Sequence, residues 1–241
     1  MEQPIEENIQ KVLKLIEEAK ARRSPAFTHE VELVAVSKKQ PISSIVRTYE
    51  CGIRDFGENY VAELHDKAVD EEIVHNCPEI RWHFIGHLQS NKVSKLLACP
   101  NLFRIHTIDS VKTADFVQKH FAKMPNKPPS LSIMIQVNTS GEPTKSGVTP
   151  DDALELVEHV INKCPDLKLD GLMTLGAPDH DVTKGPNPDF VTLQKLKDTI
   201  DARFEEKVNL SMGTSGDFEH AIELGSNCVR VGEKIFGPRK Y

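Results

Sequence analysis

Apolar residues follow two alternating rhythms along this chain. Short runs rich in β-branched residues are separated by longer segments in which apolar positions return every three or four residues. The first long segment puts Ile5, Ile9, Val12, Leu13, Ile16 and Ala19 on one face at about 3.6 residues per turn, which predicts an opening helix. A strand is expected from Val31 to Val36. After Pro41, the positions Ile42, Ile45, Val46 and Tyr49 resume helical spacing. Ile53 to Phe56 predicts a second strand, and Val61, Leu64 and Ala68 the helix behind it. Further strands are expected at Trp82 to Ile85, Leu102 to Ile105, Leu131 to Val137, Leu169 to Leu175, Val208 to Met212 and Cys228 to Val231. Leu154, Val157, Val160 and Ile161 mark one of the helices between them. The count is about eight strands and eight helices.

Strands that alternate with helices predict a parallel sheet, because a parallel pair needs a long crossover and a helix supplies it. Eight such units in 241 residues fit an α/β fold of one kind, a single (β/α)8 TIM barrel with an additional N-terminal helix, as one domain over residues 1–241. The competing fold, an open doubly wound sheet, usually carries G-x-G-x-x-G after its first strand, and that fingerprint is absent. No Pro/Gly/Ser-rich linker divides the chain. The irregular stretch Gly176 to Pro188 reads as one surface loop after the sixth strand.

Composition narrows the function classes. Lys and Arg total 30 against 36 Asp and Glu, for a net charge of −6, so a nucleic-acid backbone meets no general attraction. The 5 cysteines are odd in number and include no Cys-x-x-Cys pair, which suggests neither a disulfide framework nor a zinc knuckle. Reduced and mostly buried thiols are expected. Met-Glu-Gln-Pro is no secretory start, and no apolar run approaches the ~20 residues of a membrane span. A soluble protein of the cytoplasm is expected, without a membrane or nucleic-acid partner; a mitochondrial pool is compatible with the same composition. The N-x-[ST] matches at Asn138 and Asn209 are then fortuitous.

In a barrel, chemistry gathers in the loops at the carboxyl ends of the strands. That rule selects Ser37, Lys38 and Lys39; Gly57, Glu58 and Asn59; Gly86 and His87; Asn138 to Gly147; Gly213 to Asp217; and Gly232 with Glu233. Lys38 follows the apolar run Leu33-Val34-Ala35-Val36, and a lysine amine desolvated there can become the neutral nucleophile that attacks a carbonyl. A Lys-Lys pair at a strand end can equally be solvated surface. Met212-Gly213-Thr214-Ser215-Gly216-Asp217 offers backbone N–H groups and two hydroxyls to an anion, with Gly232 and Glu233 as the second half of a phosphate cradle. The same residues also suit a capped helix start. Arg230, inside the last strand, needs acceptors for its hydrogen bonds: a structural ion pair or a cofactor ring atom. Other patterns fail. Gly141 to Ser146 lacks the glycine and the span of a P-loop, Gly213 to Gly216 is one residue short of a nucleophile elbow, and the 10 histidines show no metal-ligand spacing. Trp82, His83 and Phe84 read as core packing.

Taken in order, these residues closely resemble the pyridoxal phosphate homeostasis protein family, relatives of the barrel domain of alanine racemases. The matching motifs are Ala35-Val-Ser-Lys38, Asp55-Phe-Gly-Glu-Asn-Tyr60, Trp82-His-Phe-Ile-Gly-His-Leu-Gln-Ser-Asn-Lys92, Val137-Asn-Thr, Lys145-Ser-Gly147, Gly171-Leu-Met173, Ser211-Met-Gly-Thr-Ser215, Val229-Arg-Val-Gly232 and Ile235-Phe-Gly237. They span roughly residues 5 to 239, and their number in one register makes the resemblance specific.

The resemblance implies a barrel that holds pyridoxal 5′-phosphate (PLP). Lys38 matches the lysine that forms the internal aldimine, Arg230 the arginine facing the pyridine nitrogen, and Asn59 a polar residue beside the ring. Ser211, Met212, Gly213, Thr214, Ser215, Gly232 and Glu233 fall in the matching phosphate motifs. Two positions depart from the pattern: Thr214 stands where methionine is common, and Glu233 where relatives often carry a small hydroxyl residue. Glu233 is expected to turn its side chain away and offer only its backbone N–H. The implied role is intracellular vitamin B6 homeostasis: a carrier, expected as a monomer, that holds PLP and passes it to candidate PLP-dependent apoenzymes. The rival is a PLP-dependent amino-acid racemase. Two-base racemisation needs a second acid/base group opposite the lysine, and none of Tyr49, Tyr60 and Tyr241 can be assigned there from sequence. A phosphosugar-binding barrel enzyme with Lys38 as nucleophile is a third reading.

Overall fold

Parallel strands cannot be joined by tight turns, and here helices make the joins. A computed structural model of the protein describes residues 4–142, 146–177 and 180–238. Eight strands, β1 (Glu32–Val36), β2 (Asp55–Glu58), β3 (Arg81–Phe84), β4 (Leu102–Ile108), β5 (Leu131–Gln136), β6 (Leu167–Met173), β7 (Asn209–Ser211) and β8 (Cys228–Val231), lie side by side in chain order. All neighbours are parallel, and β8 returns to β1 with Leu33 opposite Val229 and Val34 opposite Arg230, closing the barrel. The barrel expectation is borne out.

The helices are α1 (Ile5–Arg22), α2 (Ile42–Glu50), α3 (Val61–Ala68), α4 (Glu71–Asn76), α5 (Val93–Leu97), α6 (Val111–Ala122), α7 (Pro150–Lys163), α8 (Pro188–Phe204), α9 (Phe218–Glu223) and α10 (Glu233–Phe236). Ten helices among the described residues correct the expected eight. Short α4 and α10 bury one residue each, Ile73 and Ile235, too few for an apolar period to appear. The N-terminal helix is present as read, burying Ile9, Val12, Ile16 and Ala19. Longer helices begin where local chemistry satisfies their first N–H groups. Thr149 accepts from Asp152 N–H ahead of Pro150, and Asn187 from Asp189 N–H ahead of Pro188. The expected loop from Gly176 to Pro188 contains one 3-10 turn, Val182–Lys184, and its residues 178–179 lie outside the described residues.

At their carboxyl ends, three strands differ from the sequence reading by two residues or more. β2 runs on to Glu58, because Gly57 is a wall position: a Cβ there would sit 3.0 Å from the side chains of Val34 and Ile85. β4 continues through His106 and Thr107, polar residues that break an apolar run yet are satisfied inside the fold; Thr107 Oγ1, for example, donates to Gly86 O at 2.7 Å. β6 stops at Met173, and Leu175 beyond it is 48% exposed.

Helix-facing residues form the main hydrophobic layer, with Trp82 buried against Phe56. The barrel's inner face is different. Branched apolar residues dominate most such interiors, but this one carries ions and hydrogen-bonded rings. Arg104 pairs with Glu32 at 2.5 Å and Asp170 at 2.9 Å, and Arg81 pairs with Asp55. His83 and His106 lie fully buried above them. The expectation that His83 is packing alone is therefore corrected: both of its ring nitrogens are hydrogen-bonded. Burying so many polar groups is tolerable only because they satisfy one another.

Candidate functional site

Side chains alternate across a strand, so Val34, Val36 and Lys38 share one side of the chain. Lys38 emerges at the carboxyl end of β1 into a cavity of about 380 Å3. The cavity walls come from Val36, Lys38 and Gln40 after β1, Asn59 after β2, Ile85 after β3, Leu175 after β6, Thr214 to Gly216 after β7, and Arg230, Gly232, Glu233 and Gly237 at and beyond β8. Eight of the residues singled out from sequence meet here: Lys38, Asn59, Thr214, Ser215, Gly216, Arg230, Gly232 and Glu233. Ser211, Met212 and Gly213 are buried behind the wall. His87 and Asn138 stand away from the cavity, and Lys145 and Tyr241 lie outside the described residues.

Arg230 reaches the cavity from β8 and is 3% exposed. Among the described residues it has no ion pair. Its guanidinium donates to Ser211 Oγ at 2.6 Å and to Thr174 O at 2.9 Å. Burial lowers the pKa of this side chain, yet arginine keeps its proton at neutral pH. A positive charge is thus fixed on the cavity wall.

Behind Arg230 the hydrogen bonds continue. Ser211 Oγ lies 3.0 Å from His106 Nδ1, His106 Nε2 lies 2.9 Å from His83 Nδ1, and His83 Nε2 lies 2.8 Å from Asp55 Oδ1. Burial, reinforced by His83, Arg104 and Arg230, drives the pKa of His106 well below its ordinary value, so its ring is neutral. Burial raises the Asp55 pKa, but the His83 and Arg81 hydrogen bonds outweigh it and hold the carboxylate ionised. At the two ends of this file the roles are fixed: the Arg230 guanidinium can only donate and the ionised Asp55 carboxylate can only accept.

Beside Arg230 the wall is a backbone turn, and Arg230 N–H donates to Gly213 O at 3.0 Å. Gly213 takes φ +97°, where a Cβ would stand 2.6 Å from Ala221 Cβ, so the turn needs glycine. Thr214 N–H and Oγ1 both donate to Asp217 Oδ1, at 2.6 and 3.1 Å. Ser215 Oγ accepts from Gly232 N–H at 3.2 Å and Lys234 N–H at 3.4 Å, tying the β7 and β8 loops together. Such a turn can present hydroxyls and N–H groups to an anion. Glu233 is exposed at the rim. Among the described residues Asn59 Oδ1 is buried without a hydrogen-bond partner, on a residue lining the same cavity.

Sequence reasoning gave no site role to Val36, Gln40, Ile85, Leu175 and Gly237. Strand parity from Lys38 could have found Val36. Gln40, Leu175 and Gly237 lie where chain direction changes after a strand, which only the closed barrel reveals.

A parallel barrel with this mouth has a known class. Residues 6–240 match the family model for the alanine racemase N-terminal domain. The alanine racemase of Clostridium difficile 630 shares the fold, with a TM-score of 0.69 at 15% identity over 98% of this chain and 58% of that one. Nearer relatives narrow the class. The human pyridoxal phosphate homeostasis protein is 47% identical over 232 residues, 94% of this chain and 83% of that protein. Its namesake in Vibrio alginolyticus is 42% identical over 98% of both chains. A structure of PipY from Synechococcus elongatus with PLP bound superposes with a TM-score of 0.80 at 26% identity, over 97% of this chain and all of that one. The chain belongs to the pyridoxal phosphate homeostasis protein family, as its motifs implied.

Proposed function

We propose that this protein binds PLP at the barrel mouth, holds it through Lys38 as a Schiff base, and releases it to PLP-requiring apoenzymes, buffering the vitamin B6 pool. One observation carries the reading. A lysine, a fully buried arginine and a hydroxyl-bearing glycine turn converge on one cavity of about 380 Å3, within the ~300–1,000 Å3 range of small-ligand sites. The orphaned Asn59 Oδ1 supplies a polar demand that a ligand there would meet. The name of the human relative and the PLP-bound PipY structure support the same ligand.

In this reading, Lys38 supplies the amine and Arg230 faces the pyridine nitrogen. Asn59 borders the ring. Thr214, Ser215, Gly232 and the Glu233 backbone receive the phosphate, on a frame set by Ser211, Met212 and Gly213. The barrel acts as a single unit over residues 1–241, as a monomer in the cytoplasm. Bound PLP supplies an electron sink, which is strongest when its ring nitrogen is protonated. The fixed charge of Arg230 opposes that protonation, and it is held in place by Ser211 and Thr174. This favours holding over turnover.

The racemase reading needs an acid/base group across from Lys38. Among the described residues, neither tyrosine lines the cavity: Tyr49 is buried under Arg54, 3.8 Å from its ring centroid, and Tyr60 is 53% exposed elsewhere. That supports the carrier reading.

Adding PLP should produce a visible band that borohydride fixes onto Lys38, and mass mapping of the reduced peptide reads the site. A protein that stays colourless, or a label on another lysine, overturns the assignment; borohydride trapping of a phosphosugar on Lys38, with no PLP adduct, would favour the sugar-enzyme reading. Incubation with single amino-acid enantiomers separates carrier from racemase: turnover that vanishes in Lys38→Ala would defeat a carrier-only role.

A further inference from the structure

A lysine can be aimed by fixing the two peptide planes on either side of its Cα. Here each plane is gripped by a side chain from α3. Ser37 O, on the plane before Lys38, accepts from Lys67 Nζ at 2.8 Å. Lys39 N–H, on the plane after it, donates to Glu63 Oε1 at 2.5 Å. The two grips are joined, because Lys67 Nζ also bonds that Glu63 oxygen at 2.7 Å, one helical turn away. The third ammonium proton goes to Glu58 Oε1 at 2.7 Å, which in turn accepts from Ser37 Oγ at 2.7 Å. All three donors of Lys67 are therefore used inside one cluster. The cluster is dry at its Lys67 end, where Ser37 and Glu58 are fully buried and Lys67 is 7% exposed, and partly open at Glu63, whose side chain is 23% exposed.

The grip holds an unusual backbone. Lys39 takes φ +60°, in the left-handed region that side chains other than glycine and asparagine avoid. A strained residue persists where its surroundings over-determine it, and such residues gather at functional sites. Here the over-determining contact is the Glu63 carboxylate on the Lys39 amide. A buried ion network is costly to assemble. This one spends its hydrogen bonds on the main chain that flanks Lys38.

We propose that Glu63 and Lys67, anchored by Glu58, are positioning residues: they lock the backbone on both sides of Lys38 so that its amine meets a carbonyl in the cavity at a fixed angle. The proposal rests on Lys38 being the reacting amine. Misplacing a reacting group by about 1 Å can cost on the order of a hundredfold in rate, so the effect should appear in how fast an adduct forms.

The test uses Glu63→Ala, which frees the Lys39 amide while leaving the buried Lys67 and Glu58 paired. Glycine accepts positive φ without strain, so the double variant Glu63→Ala/Lys39→Gly should restore the turn. Two readouts are taken: hydrogen exchange at the Lys39 amide in the protein alone, and the rate of the PLP absorbance change on mixing. In Glu63→Ala we expect loss of amide protection and adduct formation slower by about tenfold or more, with recovery of most of that rate in the double variant. An adduct forming in Glu63→Ala at the parent rate, or a double variant no faster than the single, overturns the positioning role while leaving the PLP reading intact. A parent protein with no adduct at Lys38 overturns both.

Discussion

Asp55 and Arg230 stand at opposite ends of a single hydrogen-bonded file through the barrel, linked by His83, His106 and Ser211. The file connects an ion pair at the amino-terminal end of the strands to the cation on the cavity wall. Its members come from β2, β3, β4, β7 and β8, so the interior is cross-linked across much of the ring.

Ser211 is the joint between the rings and the arginine. Ser211→Ala leaves a buried guanidinium donor and His106 Nδ1 without their partner, and should cost about 1–3 kcal/mol. Urea unfolding is the measurement, read as a lower midpoint with unchanged slope. The PLP absorbance band of the variant should also shift, because Arg230 would lose one of its two tethers. An unaltered midpoint would show that the file contributes nothing to stability.

The neutral state of His106 predicts an acid limb in the stability curve. Burial holds its pKa well below the ordinary 6.5, so as pH falls below about 6.5 the unfolded chain binds a proton that the barrel refuses. Stability is then lost on acidification, by up to about 1.4 kcal/mol per pH unit for this one group. His29 and His220, also held low by burial, act in the same direction. His106→Gln should therefore flatten the curve below pH 6.5 by about one proton's share rather than abolish the limb, as stability measured at several pH values would reveal.

How much of this was legible beforehand differs by layer. The barrel was readable because eight strand-and-helix repeats leave a periodic apolar trace, and Lys38, Thr214, Ser215 and Gly232 could be placed at its mouth by position after a strand. Arg230 was ambiguous between ion pair and ligand contact until Ser211 Oγ and Thr174 O appeared as its acceptors. His83 and His106 were unreadable for a physical reason. Residues from strands distant in sequence satisfy them, so each looks locally like an error in an apolar run. Glu63 and Lys67 look like an ordinary surface pair four residues apart, and only the arrival of Ser37 and Lys39 gives them a task.

Gly213 and Gly216 should part company on substitution. Gly213→Ala forces a Cβ to 2.6 Å from Ala221 Cβ at positive φ, and should cost about 1–3 kcal/mol in thermal or urea unfolding. Gly216 has nothing within 4 Å of a Cβ. Gly216→Ala should change stability by less than about 0.5 kcal/mol, so any loss of PLP affinity there reports the cavity wall directly. Equal destabilisation by both would contradict the assigned turn.

Thiol chemistry offers a quick check on the fold. Burial pushes Cys77 and Cys164 up to about 11 and Cys99 up to about 12, and Cys228 higher still. Only Cys51 is partly accessible. An aromatic disulfide reagent at pH 7.5 should titrate at most one thiol rapidly in the native protein and all 5 after denaturation. Rapid reaction of several native thiols would mean that the helix layer opens more readily than its burial suggests.

The pairing of Val34 with Arg230 joins the first strand synthesised to the last. Lys38 stands on one side of that seam and Arg230 on the other, so no partial barrel, however well its early strands pair, contains the cavity. A small molecule gripped by both would act as a clasp on the ring, raising the cost of opening the fold where its two ends meet in proportion to how tightly it is held. Ligand occupancy would then report whether a newly made chain has finished closing, as well as how much ligand is present.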